Sequence, residues 1–153
     1  LQPRYATLPS TTPELLAQIG EFENAVLGNG AVEVPTQHVI HAGMYARTIV
    51  MPAGVVLTGA LMKRATLVIV TGKAAVLAGD VWVELDGYNV MPASAGRKQV
   101  FVSRSQAVIT MVFPTAAKTV EEAEAEFTDD CARLLSRRQD ANTVLITGTP
   151  EGA

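Results

Sequence analysis

Apolar and polar residues alternate with a short period through the middle of the chain and recur with a helical period near its two ends. The β-prone runs Val55–Thr58, Leu67–Val70, Ala74–Leu77, Val81–Leu85, Tyr88–Met91, Lys98–Ser103 and Ala107–Phe113 follow one another closely. Pro52-Ala53-Gly54, Thr71-Gly72, Ala78-Gly79-Asp80, Asp86-Gly87 and the stretch from Pro92 to Gly96 fall between them as turns. Strands of this length and spacing, punctuated by Gly, Pro and Asp, predict an all-β sandwich or barrel over 32–113 rather than alternating β and α units.

The flanks read differently. Leu1 to Ser10 is predicted as an extended arm. Thr12 can cap a helix over 12–27 whose first turn holds Pro13 and Glu14, and Leu15, Leu16, Ile19, Phe22 and Val26 give it an apolar stripe that Gly28-Asn29-Gly30 ends. Gly20 within it costs about 1 kcal/mol relative to Ala. Near the other end, Thr119 and Glu122 form a T-x-x-E capping box, and Val120, Ala123, Phe127, Cys131, Leu134 and Leu135 continue a stripe that predicts a helix over 119–138. Its acids, from Glu121 to Asp130, come early, and Arg133, Arg137 and Arg138 come late, the order a helix dipole favours. This charge run reads as a solvated helix face. In the tail, 139–153, Thr143 to Thr147 is β-prone and could add an edge strand to a neighbouring subunit.

Composition bounds the answer. A chain of 153 residues with 48% hydrophobic content is expected to form one domain, 1–153, with a real core. With 12 basic and 15 acidic residues, it gives no reason to expect nucleic acid or an anionic membrane as partner. No run reaches the ~18 apolar residues of a membrane span, and the first residues lack a signal-peptide pattern, so the expectation is an intracellular, cytoplasmic protein. Cys131 is the only cysteine and reads as an inert core thiol.

Candidate chemistry is sparse. Serine-hydrolase, P-loop and dinucleotide-fold motifs are absent in usable form. The two histidines, His38 and His41, lie three apart in chain that reads as extended, so they should point to opposite faces and share a metal only across a bend. Two histidines also fall short of the three protein ligands of a catalytic zinc site. Surface or hydrogen-bonded histidines are therefore expected. Tyr45 and Arg47 share one strand face, and Trp82 and Tyr88 read as core aromatics, with ligand platforms as the alternative.

The stretch from Ile49 to Gly72, with Gly54 and Gly72 as its turns, resembles the first motif of the cupin family, in which a glycine precedes an H-x-H pair, a glutamate and a closing glycine. The resemblance covers roughly Tyr45 to Phe113 and implies a double-stranded β-helix, or jelly-roll barrel, with the two helices outside it. Counted from Gly54, the family's histidine places fall on Ala60 and Met62, and its glutamate place falls near Thr66 or Leu67. In the second motif, opened by Gly87, the last histidine place falls on Gln99. None of these residues suits a hard or borderline divalent metal. The resemblance thus implies a metal-free barrel without a cofactor. The runs YARTIVMPAG, PASAGRK and KTVEEAEAEF further resemble small cupin-like proteins of tailed bacteriophages and prophages, a group that implies no reaction.

The two motifs would bring the Met62–Arg64 loop and the Gly96–Gln99 turn to one mouth. His41, Tyr45, Arg47, Met62, Arg64, Arg97 and Gln99 are therefore the candidate ligand-binding residues, with Lys63 and Lys98 nearby, and a small anionic or polar molecule is the ligand they suit. No residue is assigned as catalytic. Three readings stay open: a metal-free binding protein; a structural or interaction protein using the barrel as an oligomeric scaffold; and a metal-independent isomerase or epimerase with His41 as base and Tyr45 as acid. Cupin resemblance implies a homodimer or higher homo-oligomer. A Leu/Val/Met-filled barrel would favour the second reading, and a polar cavity the first.

Overall fold

The computed structural model describes residues 7–26, 33–137 and 142–147. Helix α1 spans Pro13–Val26, and nine strands follow: β1 (Thr36–His41), β2 (Met44–Met51), β3 (Val56–Thr58), β4 (Thr66–Thr71), β5 (Ala74–Ala78), β6 (Val81–Leu85), β7 (Tyr88–Ala93), β8 (Val100–Ser103) and β9 (Ala107–Pro114). Helix α2 (Val120–Phe127), two 3₁₀ turns (Cys131–Arg133 and Leu135–Arg137) and β10 (Asn142–Ile146) complete the described chain. The strands form a six-stranded sheet in the order β10-β1-β2-β9-β4-β7 and a four-stranded sheet in the order β3-β8-β5-β6. Every pairing is antiparallel except β1 with β10, and the chain crosses repeatedly from one sheet to the other. This is the cupin-like jelly roll that the resemblance implies, with a helix towards each end.

Period-two alternation builds the interior. Met51, Val68, Val70, Val76, Met91 and Phe101 all face inward and, with their neighbours, fill the bore. Leu8 joins them from the arm, held where its backbone N–H donates to Pro92 O at 2.9 Å and its carbonyl accepts from Ser94 N at 2.8 Å. A second apolar cluster closes one end of the barrel: Tyr45, Met62 and Phe113 from the barrel meet Ala123 and Phe127 of α2, and Leu134 beyond it.

Several expectations need correction. The C-terminal helix does not run to 138. It stops at Thr128, whose φ of −150° and ψ of 152° are extended. Thr128, Asp129 and Asp130 are poor helix formers, the two acids would oppose the dipole at a helix C-terminus, and Lys63 N donates to Phe127 O at 2.7 Å. Strand β7 continues through Pro92, tolerated because β7 is an edge strand. Trp82 and Tyr88, read as core, are exposed on the outside, as is Phe22 on α1. Strand β10 pairs within its own chain, against β1. Thr12 caps α1 as expected, accepting from Leu15 N at 3.2 Å; the glycines expected to end that helix lie outside the described residues, as does residue 138. No helix among the described residues is long and apolar enough to cross a membrane.

One glycine is indispensable by contact as well as by dihedral. At Gly72, φ is +115° and an added Cβ would lie 2.6 Å from the Gln106 carbonyl oxygen; at Gly54, φ is +75° and nothing lies within 4 Å. In urea unfolding, Gly54→Ala is expected to lose about 1–2 kcal/mol from its backbone alone. Gly72→Ala is expected to lose more, on the order of 3 kcal/mol, because a backbone clash adds to the strain. Equal losses would show that the loop between β8 and β9 yields freely.

Candidate functional site

Register on the β1–β2 hairpin sets up the polar chemistry. His38 lies opposite Arg47 and Ile40 opposite Tyr45, all on the inner face. The Tyr45 hydroxyl lies 2.7 Å from His38 Nδ1, while His38 Nε2 lies 3.2 Å from Asn142 Oδ1 of β10. Arg47 Nη1 donates to the Tyr45 hydroxyl at 3.3 Å and to Glu124 Oε2 at 3.0 Å, and its Nη2 donates to Ser136 Oγ at 3.1 Å. Glu124 also accepts from Ser136 Oγ at 2.6 Å and from Arg137 Nε at 2.8 Å. Asn142 Nδ2 donates to Ser136 O at 2.7 Å, which closes the circuit.

One proton assignment satisfies every partner: the Tyr45 O–H donates to Nδ1, and Nε2–H donates to Asn142. His38 is then neutral. Burial lowers its pKa, opposed by the Asn142 hydrogen bond and helped by the Arg47 charge. Burial likewise raises the Tyr45 pKa. For Glu124, burial acts upward, but the hydrogen bonds from Ser136 and Arg137 and the charge of Arg47 outweigh it and hold the carboxyl below its ordinary range.

At the closed end of the barrel, α2 and the residue pair after it supply a carboxylate to each of three cations. Glu124 takes Arg47, Glu126 takes Arg64 at 2.8 Å, and Asp129 takes Lys63 at 2.8 Å. Phe127 inserts between them: its ring stacks on Tyr45 at 6.3 Å between centroids and meets Phe113 edge-on at 6.1 Å. Arg64 also lies 5.1 Å over Phe113, and Met62 is buried in the same cluster.

Arg97 is buried and finds no carboxylate among the described residues. Its Nη1 donates to Ser94 O at 2.7 Å and Arg64 O at 3.3 Å, its Nη2 donates to Thr66 Oγ1 at 2.7 Å, and burial pushes its pKa down to about 10. Its Nε and the Oε1 of Gln99 are buried without a hydrogen-bond partner among the described residues. Gln99 Nε2 donates to Leu77 O at 3.0 Å. Of the seven candidate residues, then, Tyr45, Arg47, Met62 and Arg64 meet beneath α2, and Arg97 joins them through the Arg64 carbonyl and a backbone bridge to Met62. Gln99 turns towards β5. His41 stands exposed on the outer face, its Nδ1 2.8 Å from Thr147 Oγ1.

Sequence reasoning missed His38 as a member of this circuit, and with it Glu124, Ser136 and Asn142. Glu124 was findable: 120, 123, 124 and 127 have the i, i+3, i+4, i+7 spacing of one helix face, so Glu124 belongs to the apolar stripe rather than to a solvated one. The expectation of a solvated face is corrected there, since Glu124 is 2% exposed, while Glu121 and Glu122 are exposed. Among the described residues no group of three His, Cys, Asp or Glu could hold a metal ion. An open cleft of about 300 Å³ lies beside the circuit, lined by His38, Glu121, Ser136, Arg137, Asn142 and Val144 among others.

No family model and no curated protein matches this chain. Solved structures do. A cupin 2 conserved barrel domain protein from Salinispora arenicola is 16% identical with a TM-score of 0.46, over 54% of this chain and 76% of that one. A cupin superfamily protein from Desulfitobacterium hafniense is 15% identical with a TM-score of 0.48, over 73% and 98%. A cupin-2 domain containing protein from Shewanella frigidimarina is 12% identical with a TM-score of 0.43, over 60% and 90%. At these values the likeness carries no residue role to this chain, and the jelly-roll assignment rests on the chain's own strand order.

Two outcomes follow for the circuit. Glu124→Ala strands two arginines, one of them largely withdrawn from solvent at 10% side-chain exposure, and is expected to lose about 3 kcal/mol in urea unfolding; Arg47→Met combined with Glu124→Leu should recover much of that loss. The pH dependence has a definite sign. Both folded-state pKa values are lowered, so each group's stabilisation is present above its unfolded pKa and lost as pH falls through the folded one. Stability should decline below about pH 6.5 as unfolded chains protonate His38, and again below about pH 4.5 for Glu124. His38→Gln should flatten the first decline and Glu124→Gln the second.

Proposed function

We propose that this chain is a non-catalytic, cupin-like scaffold whose working surface is the outside of the barrel. The observation that supports it is the filling of the bore: aliphatic, Met and Phe side chains occupy the interior, and Phe127 with its α2 neighbours seals the end where a ligand would enter. A substrate there would have to displace an aromatic anchor and break the ion pairs of Arg47 and Arg64 together. The isomerase reading has little support, because His41 and Tyr45 point to opposite faces of the sheet and the His38–Tyr45 pair is fully engaged. The likeness of three sequence runs to phage-encoded cupin-like proteins fits a structural role.

A second reading, a binder of a small anionic or polar molecule, is favoured by one observation: among the described residues Arg97 is a buried cation with no carboxylate partner and an unsatisfied Nε. Native mass spectrometry of protein purified from cells, with elemental analysis of the same sample, separates the two. The scaffold reading expects chains without added mass and without stoichiometric metal. One small molecule or one metal ion per chain, lost on denaturation, would overturn it, and an anion whose retention depends on Arg97 would establish the second reading.

A further inference from the structure

Four strands end the two sheets, and three of them are protected. Strand β7 carries Pro92 and already takes Leu8 along its edge, β6 carries Glu84 in its ion pair with Arg104, and β3 is three residues long. Strand β10 has neither charge nor proline, and its Val144, Leu145 and Ile146 are 53%, 50% and 50% exposed. Natural sheets seldom leave such an edge open. The ladder to β1 fixes which groups face out. Thr147 N donates to Ile40 O at 3.0 Å, so Thr143, Leu145 and Thr147 turn their backbone groups to β1. Val144 and Ile146 therefore turn their N–H and C=O outward, where no described strand meets them. The side chains of the same two residues lie on the inner face, opposite His38 and Ile40, and line the cleft of about 300 Å³ to which α2 contributes Val120 and Glu121. An open ladder and an apolar cleft beside a helix thus share one pair of residues.

We propose that this edge binds an extended segment of another protein, added to the six-stranded sheet as a further strand beyond β10, with an aliphatic side chain seated in the cleft. This deepens the scaffold reading and rests on it, naming a partner for the outside of the barrel. Three arguments choose that occupant. Outward N–H and C=O groups at strand spacing are matched by an extended backbone, and neither a lipid nor a small metabolite repeats them. The cleft offers a side chain the apolar surfaces of Val120, Val144 and Ile146, while the buried carboxylate at its base, Glu124, is already neutralised by Arg47 and Arg137. Glu121 lines the same cleft and is exposed, so a segment without acids suits it, whereas a second copy turned about a two-fold axis would bring a second Glu121 towards the first.

The test is selection of a yeast-displayed library of random octapeptides against the full chain, followed by fluorescence anisotropy with a synthetic copy of the enriched sequence and amide hydrogen exchange on the complex. Val144→Pro removes an outward donor and leaves the ladder to β1 its bonds, since an edge strand tolerates proline where the N–H faces away from the sheet. Val81→Lys, at an exposed position of the smaller sheet, is the control. The proposal expects peptides rich in Val, Ile or Leu at alternate positions and poor in Asp and Glu, saturating at one per chain. Binding should slow exchange at the Val144 and Ile146 amides and leave Leu145 and Thr147 little changed. Val144→Pro should weaken binding about tenfold or more, and Val81→Lys should not. A peptide N-methylated at its ladder-facing amides should lose about as much, a result that needs no change in the protein's own fold. A library that enriches nothing overturns the proposal, as does a peptide whose binding survives N-methylation at either set of alternate amides or leaves Val144 and Ile146 unprotected. Wild-type chains that self-associate through the same two amides also overturn it, assigning the edge to a second copy. None of these results depends on bound mass, so a small molecule or metal on every chain would sink the scaffold reading alone, and a ligand-free chain that takes no peptide would sink this proposal alone.

Discussion

The buried carboxylate of Glu124 is the interaction on which the second half of the structure depends. It accepts hydrogen bonds from Arg47 of the barrel and from the neighbours Ser136 and Arg137, so two segments far apart in the chain converge on one pair of oxygens. As a source of net stability such a group is close to neutral, since taking it from water offsets much of the attraction. The Phe127 ring beside it, wholly apolar and buried, contributes about 2–3 kcal/mol by leaving water. The two groups therefore do different work. Apolar contact holds α2 against the barrel, and the carboxylate selects one position along it, because a shift of one turn would part the buried Glu124 from the partly buried Arg47.

That selection determines what the barrel can do. With α2 in place, its acids neutralise the cations that the hairpin and the β3–β4 loop bring to the closed end, and the aromatic cluster of Tyr45, Phe113 and Phe127 fills the remaining space. The bore below is apolar. Charge has been moved off the interior and onto loops, α2 and the smaller sheet, leaving Arg97 as the one buried cation without a carboxylate among the described residues. Its hydrogen bonds to the carbonyls of Ser94 and Arg64 join the second-motif turn to the first-motif loop, which gives it a structural task whether or not an anion ever meets it.

Much of the fold was legible because it is written in local period. Turn glycines, strand alternation and the Thr119–Glu122 box each depend on residues within a few positions, and strand parity placed His38 and His41 on opposite faces. What was not legible depends on partners far along the chain. Helix α2 ends at Thr128 partly because Lys63 N takes the Phe127 carbonyl, a contact no window of sequence around 128 contains. Leu8 looks like part of a loose arm until Pro92 and Ser94 offer it a backbone ladder. Trp82 and Tyr88 look like core because they are large, yet period two puts them outward once Val83 and Met91 face in. The candidate site was half legible for the same reason: parity joined Tyr45 to Arg47, but the carboxylate that engages Arg47 lies 77 residues away.

The inside and the outside of this barrel are coupled through β10. Its five residues pair with β1 by a parallel ladder, less stable per residue than the antiparallel pairs elsewhere, at the edge of the sheet. What positions it from the inside is Asn142, bonded to His38 on one side and to the Ser136 carbonyl on the other. Ser136 in turn is bonded to Glu124. The circuit that closes the barrel's end therefore also places the sixth strand, and with it Leu145 and Thr143, exposed at the edge of the sheet. Loosening Glu124 should then act at two places at once: it frees the cations at the closed end, and it loosens the edge strand of the six-stranded sheet. A polar cluster too nearly neutral in energy to justify itself by stability has, on this geometry, a different reason to be buried.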